Sequence, residues 1–399
     1  MIQKIILLLL SSSYLFAYNL SEILQSNQNS NSVKVLHERL EADKTDAEFL
    51  TSYEAPSLNL SGAHAKDSAE DGLEYGVSFS QTLDKPFAAS QKQSASRYLQ
   101  KALAQKQEHS LHIMSVDIVA KYHSACVSKE INLLAQTLFQ EQDTRVAKLQ
   151  KAYNLGEISK QNLLFHKLDL LKLQQKVNFY KGDSLQKLSQ LNENVDTLEI
   201  TSIACDDLFE IRKDIALTDI AEHAEILEME SLINANRALL RMHETTLSSL
   251  GYELMYQKEL DTTRYTLGLS IPLDFASSES ALYKQKYLAQ TSASLSQKEA
   301  MHKQIQAQSN SLLVKVETLF DEYILYKEEM VPLSYELKEL SKLAQESGEG
   351  SLMQHLDSAR SYTQNILEMM EIKEKYFQEL FELYKTSDKS IGENHANHN

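Results

Sequence analysis

Two short β-hairpin patterns, each leading past a proline into a long stretch almost free of helix breakers, constrain this chain most. The first runs from PSLNLSGAHA (56–65) through a polar loop to LEYGVSFSQTLDKP (73–86). The second runs from LSSLGYELMYQ (247–257) through KELDTT to RYTLGLSIPLDF (264–275). In each, apolar side chains fall at every second position: Leu58 and Leu60; Tyr75, Val77 and Phe79; Leu250, Tyr252, Leu254 and Tyr256; Tyr265, Leu267, Leu269 and Ile271. Small or polar residues stand between them, such as Gly76, Ser78 and Ser80 or Thr266, Gly268 and Ser270. That alternation is the signature of a membrane barrel wall, apolar toward lipid and polar toward a lumen. Strands are expected at about 57–65, 73–83, 248–257 and 264–273, lengths that suit a tilted bilayer crossing of about 9–11 residues. Four strands cannot close a barrel. In lipid every backbone donor and acceptor must be satisfied, so further copies of the chain have to complete it. Two copies give eight strands and three give twelve; a lumen wide enough to continue into a helical tube favours three.

The rest must be mainly helix, because only 10 glycines and 4 prolines occur in 399 residues. Neither residue occurs between Phe87 and Leu155, a stretch that reaches about 100 Å as one helix at roughly 1.5 Å per residue. A similar stretch from Ala276 to Ser347 is broken only by Pro332. Each ends at a glycine turn, Leu155-Gly156-Glu157-Ile158-Ser159 and Ser347-Gly348-Glu349-Gly350-Ser351, where glycine supplies a left-handed cap. Ser159 and the Ser351–Gln354 pair, a capping-box spacing, then start return helices over about 160–195 and 352–386. Seam positions such as Leu170, Leu173, Val177 and Tyr180, then Leu188, Leu191 and Val195, demand partner helices. The chain therefore reads as a duplication: a first repeat over 18–205 with its hairpin turning at 156, and a second over 206–387 turning at 348–350.

The opening MIQKIILLLLSSSYLFA reads as a secretory signal peptide over 1–17, its apolar run being too short to span a bilayer. The polar segment 388–399 reads as a disordered tail. With 40 basic against 56 acidic residues, a net charge of −16, nucleic acid is not an expected partner. Cys126 and Cys205 can pair in an oxidising compartment or stand as two partly buried thiols in helices, and the sequence leaves this open. No HExxH, CxxC pair, GxSxG or phosphate-binding glycine loop is present, so neither catalysis nor a cofactor is expected. His109 and His112, with Asp117 nearby, share helical spacing, and His395 and His398 lie in the tail. Exposed histidines of this kind are far commoner than ligands, and no metal site is assigned.

The P-x-L-x-L strand at 56–60, G-V-S-F-S-Q at 76–81, G-L-S-I-P-L at 268–273 and the tip A-Y-N-L-G-E-I-S-K-Q-N-L-L at 152–164, with G-E-G-S-L-M-Q-H-L-D-S-A at 348–359 as its duplicate, resemble the TolC-like outer membrane efflux protein family. The resemblance covers nearly the whole mature chain, and the strand exits at 74–84 and 266–275 look somewhat like its CzcC-like heavy-metal branch. It implies a homotrimer whose twelve strands form one barrel in the outer membrane of a Gram-negative bacterium. It further implies a periplasmic helical tunnel, docking to a periplasmic adaptor (membrane fusion) protein and an inner-membrane efflux pump, and export of small substrates, metal ions or drugs. By position, Asp357 matches one acidic residue of the family's tunnel constriction, whereas the other acidic position is Gln354 here. The tip residues Gly156, Ile158, Ser159, Gly348, Gly350 and Ser351 are the adaptor-docking candidates. Two other readings remain: the channel of a type I protein secretion system, which uses the same scaffold, and a non-channel periplasmic coiled-coil protein, which would lack the alternating strands.

Overall fold

A computed structural model describes residues 17–66, 71–193, 195, 198–244, 249–272 and 278–391. Residues 1–16 of the expected signal peptide (1–17), Ser248, Leu273 and residues 392–399 of the expected tail (388–399), with His395 and His398, lie outside the described residues. The protein is mostly helical, with one four-stranded antiparallel sheet. Its elements are α1 (Leu20–Gln28), α2 (Asn31–Phe49), β1 (Ser57–Lys66), β2 (Asp71–Asp84), α3 (Pro86–Asn154), α4 (Lys160–Asn192), α5 (Ala224–His243), β3 (Ser249–Lys258), β4 (Thr263–Ser270), α6 (Ser278–Leu325), α7 (Val331–Glu346) and α8 (Leu352–Thr386). Two compact units divide the chain: residues 1–35, 110–218 and 305–399 form one, and 36–109 with 219–304 form the other.

The second of these units holds the sheet, in the order β1-β2-β3-β4. Pairing of β2 with β3 joins hairpins far apart in sequence, with Val77 opposite Tyr256 and Ser78 opposite Met255. Because side chains alternate, this register puts Leu58, Leu60, Tyr75, Val77, Leu254, Tyr265, Leu267 and Leu269 on one face, where all are exposed. Asn59, Ser61, Gly76, Ser78, Glu253, Gln257, Arg264 and Thr266 take the other. Tyr75, Tyr256 and Tyr265 form a ring row with centroids 6.2 and 5.3 Å apart, in the manner of the aromatic girdle of a membrane barrel. Gly76 is small for a reason: a Cβ there would stand 2.7 Å from the Ser61 hydroxyl oxygen. β4 is shorter than the sequence suggests, ending at Ser270 rather than 273, since Pro272 has no N–H for the ladder. Among the described residues no helix is long and apolar enough to cross a membrane.

In the other unit, Leu173, Val177, Tyr180, Leu191 and Val195 are buried as the seam spacing requires, joined by Ile118, Tyr122, Ile131, Leu367, Phe377 and Phe381. Pro332 does not stop the helical run. A π-helical turn, Tyr326–Met330, precedes it and the Val331 N–H bonds five residues back to Tyr326, which accommodates a ring that cannot close the ordinary ladder.

The irregular segment 198–219 is fixed by side chains, and here the reading of two thiols in helices is overturned. Cys126 of α3 is disulfide-bonded to Cys205, which lies in that segment, with Cα atoms 5.6 Å apart. Tyr122 donates its hydroxyl to the Ala204 carbonyl, and Lys129 Nζ donates to Ile203 O at 3.0 Å. Residues 122, 126 and 129 occupy one helix face, so three successive turns grip one strip of chain. Tyr376 O–H donates to Arg212 O at 2.7 Å and accepts from Arg212 N at 3.0 Å. Burial pushes the Tyr376 hydroxyl pKa up to about 12. The segment read as a tail begins inside the fold: Lys389 is buried and donates to the Ala216 carbonyl, and Ile391 packs against the core.

Candidate functional site: the helix reversals and the Asp357 turn

Both helix reversals lie in the same unit and are built alike. Gly156 has φ +81°, its N–H bonds to Tyr153 O at 3.0 Å, and Glu157 N–H bonds to Ala152 O at 2.9 Å. Gly348 has φ +79°, with Gly348 N–H on Gln345 O at 3.2 Å and Glu349 N–H on Ala344 O at 2.9 Å. These are paired bonds of the Schellman type, which satisfy the last carbonyls of α3 and α7. Gly350 meets a different constraint, since a Cβ there would lie 2.8 Å from Ala344 Cβ. Ser159 accepts from Asn162 N at 3.2 Å, and Ser351 and Gln354 exchange two bonds at 3.2 Å across the start of α8. An apolar cluster of Leu149, Leu163 and Leu356, with Tyr153, Ile158, Leu352 and Met353 against it, holds the two reversals together. Ile158 therefore packs partly into this cluster, while Gly156, Ser159, Gly348 and Ser351 are exposed.

Asp357 follows one turn later on α8 and is exposed, lining an open groove with Leu337, Leu340 and Ala344 of α7. Gln354 lines the same groove, but its side-chain oxygen is committed to the Ser351 N–H. One carboxylate and one amide thus line this groove, the amide held by the helix cap.

Charged residues that sequence reasoning missed surround this turn. Lys338, nearly buried, sits 4.7 Å from the Tyr362 ring centroid and 5.8 Å from that of Tyr335, with Glu141 at 3.4 Å and Arg145 bridging Glu141 at 3.0 Å. Burial, then the Arg145 charge, holds His355 below the ordinary histidine range. Arg360 lies 3.6 Å from Asp169 and over the Phe165 ring, beside the buried His166. The one signal available was the Tyr335 ring, one turn before Lys338 on the same helix face. That does not identify its partners on other helices.

The histidine spacing at 109 and 112 does not build a site with Asp117. His109 approaches Glu225 at 3.7 Å and faces the His223 ring at 5.4 Å. His112 engages the Tyr384 carbonyl at 3.2 Å, and Asp117 pairs with Lys121 at 2.9 Å and Lys385 at 3.1 Å.

No family model matches the sequence, and no curated protein matches it either. The fold, by contrast, matches solved structures. The chain is similar to the outer-membrane channel OprN (TM-score 0.78, 13% identity, covering 93% of this chain and 90% of that one). It is similar too to the outer membrane protein VceC of Vibrio cholerae (TM-score 0.74, 12% identity, 93% and 96% covered). A third is the CmeC outer membrane channel of Campylobacter jejuni (TM-score 0.74, 15% identity, 94% and 88% covered). The chain has the fold of this class of outer-membrane channel over nearly its whole described length, and at that level the resemblance drawn from its strand and tip sequences holds.

Proposed function

We propose that this protein is the outer-membrane exit duct of a tripartite efflux system in a Gram-negative bacterium. The observation that carries the reading is the sheet: one face exposes a continuous row of leucines and tyrosines, while β1 and β4 each have one neighbour only among the described residues. An apolar face with two open edges is stable in lipid only when copies close it into a barrel. Three copies give a twelve-stranded wall around the polar faces of the strands. The chain follows a duplicated helix–hairpin–helix plan over 18–205 and 206–387, and its helices continue the wall as a periplasmic tunnel. Asp357, with Gln354, lines the narrow end of the duct. The reversals at Gly156, Ile158, Ser159, Gly348, Gly350 and Ser351 present the surface that meets a periplasmic adaptor, with energy supplied by an inner-membrane pump. Cargo consists of small substrates, metal ions or drugs, and a conduit of this kind needs no tight binding site for them.

The test is to purify the protein in detergent, measure its mass by light scattering and record conductance in planar bilayers. A trimeric mass with ohmic pores is expected; a monomer without pores refutes the duct. In a deletion strain, accumulation of copper, zinc or cobalt with unchanged dye assigns metal export, and the reverse assigns drug export.

A further inference from the structure

His166 is an ionisable side chain buried beside the proposed narrow end, at the α4 seam position one turn before Leu170, where the rest of the stripe is apolar or aromatic. It lies on α4 one turn beyond Leu163, is 3% exposed, and its Nε2 has no hydrogen-bond partner among the described residues. Its ring meets Phe165 edge to face at 5.5 Å. The charged groups acting on it come from two helices, Asp169 on its own and Asp357 and Arg360 on α8. Arg360 is already engaged, 3.6 Å from Asp169 and 5.6 Å from the Phe165 ring centroid. From α3, Gln150 accepts at 2.7 Å from Lys167, the next residue in the chain after His166, and Leu149 joins the apolar cluster of Leu163 and Leu356 one turn away.

An imidazole in this setting resists charging, because the proton would bring a cation out of water beside an existing guanidinium. Burial holds the His166 pKa below the ordinary range; Asp169 and Asp357 pull it upward, and Arg360 pushes it down again. The packed arrangement therefore prefers the neutral ring. Charging it sets the imidazolium in competition with Arg360 for Asp169 and attracts Asp357, the residue that projects into the groove.

We propose that His166 is a proton-operated latch between α4 and α8: neutral, it holds the helix pair closed around Asp357; protonated, it loosens Arg360 from Asp169 and releases the pair. The latch rests on the duct reading above for its consequence, though not for its geometry. The packed state's histidine pKa is depressed, so the contribution to α4–α8 packing is complete above the ordinary histidine value of about 6.5 and is lost as pH falls through the packed-state value. Acid opens the latch.

Hydrogen exchange on the full-length protein in detergent, at about pH 7.5 and about pH 5 and corrected for the intrinsic pH dependence of exchange, tests the latch without requiring a pore. Peptides covering 160–172 and 352–366 are expected to exchange at least about threefold faster at the lower pH in the wild type. In His166→Phe, which keeps the ring volume without a titrating group, that acid response should vanish. His166→Gln serves as a second non-titrating variant and should behave alike. An unchanged acid response in either folded variant overturns the latch. Bilayer conductance of the same samples separates the two readings: pores whose acid response survives in His166→Phe defeat the latch alone, whereas the absence of pores in the wild type defeats the duct and leaves the exchange result to decide the latch.

Discussion

Removing the disulfide gives the sharpest test of how this fold is held. Cys126 and Cys205 are separated by 79 residues. For a loop of that length the chain-entropy expression gives about 4.5 kcal/mol at 25 °C, and measured native disulfides typically contribute about 2–4. In the paired substitution Cys126→Ser with Cys205→Ser, the Tyr122 and Lys129 bonds to the same strip of chain remain, so the native packing should survive. The effect should then lie in the unfolded chain, which regains the freedom of residues 127–204. We expect the double variant to lose about 2–4.5 kcal/mol, up to about three powers of ten in the folding equilibrium at 1.4 kcal/mol per tenfold. Urea unfolding in detergent, followed by far-ultraviolet circular dichroism, measures it. Wild-type protein kept reduced throughout should unfold at the same midpoint as the variant. A loss below about 1 kcal/mol, or a reduced wild type that differs from the variant, would falsify the argument from loop entropy.

Two further substitution sets probe the reversals and the linker. Gly156→Ala and Gly348→Ala should each cost about 1–2 kcal/mol from backbone strain alone, because both residues have positive φ and nothing lies within 4 Å of the added Cβ. Gly182→Ala, inside α4 and equally unobstructed, should instead stabilise by about 1 kcal/mol, so thermal midpoints that move the same way at all three sites refute the assignment. Tyr376→Phe removes one hydroxyl that both donates to and accepts from the Arg212 backbone. It should cost about 1–3 kcal/mol and speed hydrogen exchange at the Arg212 amide, and unchanged exchange there would show that the linker is held elsewhere.

Much of this fold was legible because the relevant physics is local. The alternation in 56–86 and 247–275 marks four strands since side chains of an extended chain alternate faces whatever surrounds them. The absence of glycine and proline from 87 to 155 permits the single helix α3. Gly156 and Gly348 announce their turns because only glycine takes a left-handed cap at little cost. Ser159 and Ser351 do likewise for helix starts, as a cap involves residues three apart.

The set of elements, their apolar faces and the places where the helices reverse are therefore written in short stretches of residues. Tertiary structure decided which elements meet. The pairing of β2 with β3 and the bond from Cys126 to Cys205 join residues whose proximity no local rule encodes. Val331 bonds to Tyr326 ahead of Pro332, so a residue that usually breaks a helix is absorbed by a π turn. Lys338, Arg360 and His166 acquire their meaning only through Glu141, Asp169 and Asp357 on other turns or helices. The physical reason is one of range. Propensity, alternation and capping act over a few residues, whereas the burial of a charge or a thiol depends on which distant side chains the packing brings within a few ångströms.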